Sequence, residues 1–104
     1  MSNYILEGKQ PKQVDDILEW ATWFETGDRI VEQTQIGGVK ISTVFLGIDY
    51  QYGEGEPLLF ETMIFGGDDD EYQERYSTWD EAVKGHQFAC EKVKEKLNQK
   101  NENT

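Results

Sequence analysis

Ser42-Thr43-Val44-Phe45-Leu46-Gly47-Ile48-Asp49-Tyr50 and Pro57-Leu58-Leu59-Phe60-Glu61-Thr62-Met63-Ile64-Phe65-Gly66-Gly67 are the two stretches on which the fold turns. Both are rich in β-branched and aromatic residues. Between them runs the Gly-rich link Gln51-Tyr52-Gly53-Glu54-Gly55-Glu56, so residues 42–67 read as a hairpin. Taken back to Val39, the first strand becomes apolar on both faces in its second half. The second strand, residues 58–65, behaves alike. Such strands are central and want cover on both sides.

On the N-terminal side, residues 29–36 form a further strand whose weak alternation marks it as an edge. Gly37-Gly38 supplies its two-residue turn. Residues 12–26 predict a helix, with Val14, Ile17, Leu18, Ala21 and Phe24 at the spacing of a buried face. Pro11 suits its first turn, Asp15 and Asp16 complement its dipole, and Gly27 stops it. The lead before it holds Tyr4-Ile5-Leu6, which fits either an edge strand or simple packing.

On the C-terminal side, residues 68–75 read as an acidic loop. Thr78-Trp79-Asp80-Glu81 is a capping box that opens a second helix running to about Lys96. Its face is Trp79, Ala82, Val83, His86, Ala89, Cys90, Val93 and Leu97. The expected fold is α+β, a three-stranded antiparallel meander with two helices packed on one face, in the order α-β-β-β-α. Residues 1–97 form a single domain and residues 98–104 a disordered polar tail. The second face of the central strands then needs a protein partner, and a homodimer is the economical cover.

The chain has 104 residues and a net charge of −11. That balance excludes direct grip on a nucleic-acid backbone and disfavours an anionic membrane surface. Residues 49–76 hold nine acids against Arg75, a net of −8 in 28 residues. A lone cysteine, Cys90, and the absence of a signal-like N-terminus or a long apolar run point to a cytoplasmic protein.

Candidate chemistry is sparse. The acids Asp68-Asp69-Asp70-Glu71 are consecutive, whereas a calcium loop needs alternating ligands. His86 and Cys90 share a helix face, but the chain has no other His or Cys to complete a zinc site, so both read as core. Glu61 is an acid within an apolar strand, fit for a buried pair with Arg29, Lys40 or Arg75. No cofactor and no enzyme activity are expected.

The strings 42–49, 57–67 and Arg75-Tyr76-Ser77-Thr78-Trp79-Asp80-Glu81-Ala82 with Gly85-His86 together resemble a family of small bacteriophage and prophage proteins described only as hypothetical. The resemblance spans roughly residues 20–93. It associates a histidine with the position of Tyr50, so an Asp-His pair is lost here. It implies a phage origin, hence action in the host cytoplasm, and an inclination toward proteins that blunt host machinery. The function expected is an acidic interaction protein that binds and inhibits a host protein with a basic surface, as an anti-defence or takeover factor, including one that occupies a nucleic-acid-binding site. Its partner-binding residues would be Asp49, Tyr50, Tyr52, Glu54, Glu56, Asp68, Asp69, Asp70, Glu71, Tyr72, Glu74 and Tyr76. The rival readings are a nucleotide-sequestering protein that uses Arg29, Lys40, Arg75 and Trp79, and a virion or replication accessory protein.

Overall fold

A computed structural model describes residues 2–51 and 53–102, with the side chains of residues 101 and 102 left aside. The fold is α+β, with eight elements: β1 (Asn3–Glu7), β2 (Gln10–Val14), α1 (Ile17–Thr26), β3 (Ile30–Ile36), β4 (Val39–Phe45), β5 (Phe60–Phe65), β6 (Gln73–Tyr76) and α2 (Trp79–Glu102). One antiparallel sheet has the order β3-β4-β5-β6, and β1 and β2 form a separate antiparallel pair.

The central hairpin is where the sequence places it, with Phe45 opposite Phe60, Thr43 opposite Thr62 and Ile41 opposite Ile64. The strict three-stranded meander is corrected in two places. A fourth strand, β6, lies inside the acidic segment and pairs Glu61 with Arg75 and Phe60 with Tyr76. The N-terminal lead is a hairpin in which Leu6 faces Pro11. Pro11 therefore sits in a short edge strand, where a missing N–H is tolerated, and not in a helix.

The placement of both helices on one sheet face is corrected as well. α2 covers the main sheet, while α1 packs against the β1–β2 pair. α1 begins at Asp16, whose carboxylate accepts from the Leu18 and Glu19 amides at 2.9 and 3.4 Å. Its orientation follows its aromatics. Trp20 Nε1 donates to the Gly47 carbonyl at 2.9 Å, Trp20 stacks on Phe24, and Trp23 meets Phe45 edge-on. Ile17 and Leu18, counted toward the buried face by spacing alone, stand 58% and 75% exposed.

Gly47 ends β4 early and explains this docking. It has φ +77°, and a Cβ there would come within 2.8 Å of the Phe24 ring. Its carbonyl also accepts from the Tyr4 amide. One glycine thus joins the hairpin, α1 and the sheet.

The core under α2 has three layers. Val39, Ile41, Ile64, Ala89, Cys90 and Val93 form one apolar cluster. Phe45, Leu59, Phe60 and Ala82 form another, with Tyr4, Leu6 and Trp23 against it. Between them lies a polar layer. His86 Nδ1 shares a 2.7 Å hydrogen bond with the Thr43 hydroxyl, and Nε2 a 2.8 Å one with Thr34. Thr43 and Thr62 are 2.6 Å apart. Burial lowers the His86 pKa from 6.5, with Glu32 at 3.9 Å opposing. α2 continues through Glu102, past the Lys96 near which the sequence reading ends it, and residues 103–104 of the expected tail lie outside the described residues. The molecule measures 56 × 30 × 20 Å. Its radius of gyration, 15.7 Å, exceeds the ~13 Å of a compact chain this long.

Candidate functional site

The acidic residues expected to meet a partner fall into two groups at opposite ends of β5. In the 66–72 turn much of the charge is spent internally. Lys96 Nζ donates to Asp69 at 2.7 Å, with Lys92 3.9 Å away, and Lys100 Nζ donates to Asp68 at 2.9 Å. The Lys100 ammonium holds the Asp68 carboxyl below its ordinary 3.8, and the hydrogen bond to Asp69 raises Lys96. Asp70 accepts from the Gly66 amide at 2.7 Å and closes the turn. Glu71 takes a left-handed backbone, φ +74°. Tyr72 packs against the first core cluster, while Glu71 and Glu74 stay exposed.

In the 49–58 link, Asp49 is a clasp: its Oδ1 accepts from the Gln51 and Leu58 amides at 2.8 and 3.0 Å. Glu54 and Glu56 are exposed, and Tyr52 lies outside the described residues. Tyr50 carries the Arg75 guanidinium 4.6 Å over its ring. Tyr76 is half-buried beneath α2, and burial raises its phenol pKa. The Thr62 hydroxyl lies beside it and works against that rise, without meeting the geometry of a hydrogen bond.

The alternative ligand set is not brought together. Arg29 lies over Phe24 at 3.9 Å, and Lys40 over Phe65 at 6.0 Å. Arg75 donates to Glu61 at 2.9 Å, and Gln73 donates to the same carboxylate oxygen. The paired reading of Glu61 therefore holds, with Arg75 as the partner. Trp79 meets Phe60 edge-on, and the cation above it is Lys9, at 5.8 Å. A cleft of about 450 Å³ opens there, lined by Tyr4, Lys9, Pro57, Thr78 and Trp79 among others.

Three surfaces carry exposed large apolar side chains, one of them α2, where Phe88 is 60% exposed. The face of the main sheet away from α2 presents Ile30 and Phe65, 49% and 46% exposed, around the Glu61–Arg75 pair. The N-terminal end of α1 presents Ile17 and Leu18. Beside it a groove of about 520 Å³ runs between α1 and β1, with Ile5, Leu18 and Trp23 along its walls and Asp16 and Glu19 at its edge. The exposure of Ile17 and Leu18 is not visible in the spacing, because Trp20 and Trp23 lie beside the expected stripe and turn the helix toward their own side. Two large aromatics and a close glycine outweigh an isoleucine and a leucine in buried area.

Among the described residues no three His, Cys, Asp or Glu side chains gather as a metal site, and no helix is long and apolar enough to cross a membrane. Comparison with protein-family profiles, curated proteins and solved structures found no match to this chain.

Proposed function

We propose that this chain is a small acidic interaction protein of phage type. It acts by binding a basic surface on a host protein and blocking it, without chemistry of its own. The observation that carries this reading is large apolar side chains held 46–75% exposed on an ordered scaffold of net charge −11. Exposed apolar groups set in like charge fit a partner of opposite sign, since charge steers encounter and apolar burial holds the complex. The internal pairing of Asp68 and Asp69 with lysines moves the weight of the charge to Glu54, Glu56, Glu71, Glu74 and the acids of α1.

The test is affinity capture from a bacterial lysate in parallel with an unrelated protein of equal negative charge. A basic host protein, enriched over that control at low salt and released as salt is raised through about 0.5 M, is the expected result. Enrichment no greater than the control would count against the proposal.

The cleft beside Trp79 favours a second reading, a protein that sequesters a small aromatic anion between the indole and Lys9. A thermal-shift screen against nucleotides separates the two, because the first reading predicts no stabilisation by any of them.

A further inference from the structure

We propose that the groove between α1 and the β1–β2 pair docks a basic amphipathic segment of the partner, seated on Leu18 and Trp23. This rests on the reading of the chain as a binding protein and names where and what it binds.

The exposure of Leu18 is enforced by the packing around it. Turning α1 to bury Leu18 would break the Trp20–Gly47 hydrogen bond and withdraw Trp23 from Phe45. The helix is also pinned at its start, where Asp16 caps the Leu18 amide. Leu18 is therefore an apolar side chain presented at a fixed position in a shallow, open groove with Ile5 and Trp23, which Thr22 and Thr26 also line. Rigid presentation of an anchor lowers the ordering cost of binding.

Charge selects the occupant. Residues 15–28 carry Asp15, Asp16, Glu19, Glu25 and Asp28 and no base. The bases that flank this stretch in the chain are engaged: Lys12 with Glu7 at 3.0 Å, and Arg29 over the Phe24 ring. A second copy would bring the same five acids against these, and a membrane surface or nucleic acid would add its own negative charge. What fits is a lysine- or arginine-rich segment with leucine-like residues on one face, laid along the groove as a helix.

The test uses the full chain and a fluorescently labelled 14-residue peptide of alternating Leu and Lys pairs, followed by anisotropy at low salt. A second peptide has every Leu replaced by Ser. The Leu-containing peptide is expected to bind, and the Ser peptide at least tenfold more weakly. Leu18→Ser, which keeps the charge, should weaken binding about tenfold. Phe65→Ser, on the open sheet face, should leave it within twofold. Both side chains are solvent-exposed, so unchanged melting temperatures show that each variant is folded. Equal binding of the two peptides, or full binding by Leu18→Ser, would overturn the groove. If Phe65→Ser alone abolished binding, the site would move to the sheet and the binding reading would stand. No binding of either peptide would contradict both the groove and the basic-partner reading.

Discussion

Acidification from about pH 7.5 to 5 is expected to lower the stability of this protein chiefly through His86. The imidazole is 1% exposed, between two apolar clusters. Burial opposes its charged form and places its folded-state pKa below the 6.5 of a free side chain. Between those two values the unfolded chain binds a proton that the folded chain does not. Stability is thus complete above about 6.5, declines as the pH drops from there, and levels off below the folded-state value. Asp68, held low by Lys100, acts separately, because its contribution fades only below about 3.8. Thermal melts of the wild type and His86→Gln across this range should differ in slope, with the variant flat between pH 6.5 and the acid limb. Parallel curves would show that His86 does not titrate within the fold. His86→Ala removes the imidazole and leaves the Thr34 and Thr43 hydroxyls without their nitrogen partners. A loss of about 3 kcal/mol is expected from cavity and unmet hydrogen bonds together. That is a large share of the ~5–15 kcal/mol that holds a domain folded.

Gly85→Ala is expected to destabilise the protein by about 2 kcal/mol, against the usual sign for a helix interior. There alanine normally gains about 1 kcal/mol over glycine. In this fold a Cβ at Gly85 would overlap the hydroxyl and ring carbons of Tyr76. The cost of forcing them apart is that of overpacking, ~1–3 kcal/mol or more. Tyr76→Phe leaves the conflict in place because the ring carbons overlap too. Tyr76→Ala removes it, and in that background Gly85→Ala should become stabilising. A denaturant double-mutant cycle reads this change of sign directly. Simple additivity would mean that Tyr76 does not pack on Gly85.

Residues 39–45 and 60–65 were legible because both runs are rich in β-branched and aromatic residues on both faces and flank a Gly-rich link. α2 was legible because a capping box and a continuous stripe agree: Thr78 and Glu81 bond reciprocally, at 3.1 Å in each direction. β6 was hidden because Gln73-Glu74-Arg75 has the composition of a loop, and it is a strand only through pairing with β5. The β1–β2 hairpin was hidden by Pro11 and by a polar second strand, whose cover comes from α1. α1 itself was recognisable, but which side of it faces inward depended on Gly47, 21 residues beyond its end at Thr26. Local spacing carries no such information. The acidic residues were visible as charge, yet their pairing with Lys92, Lys96 and Lys100 depends on how α2 lies beside the turn.

Large apolar side chains of the free chain are expected to face water until a partner covers them. Carbene footprinting of the unliganded protein, with mass read out by residue, distinguishes open surfaces from covered ones. Heavy labelling of Leu18, Ile17, Phe65 and Ile30 beside protected Phe45, Phe60 and Ile41 is the predicted pattern, matching their exposure. Protection of Leu18 and Phe65 in the folded, unliganded chain would contradict it, since those surfaces would then already be covered.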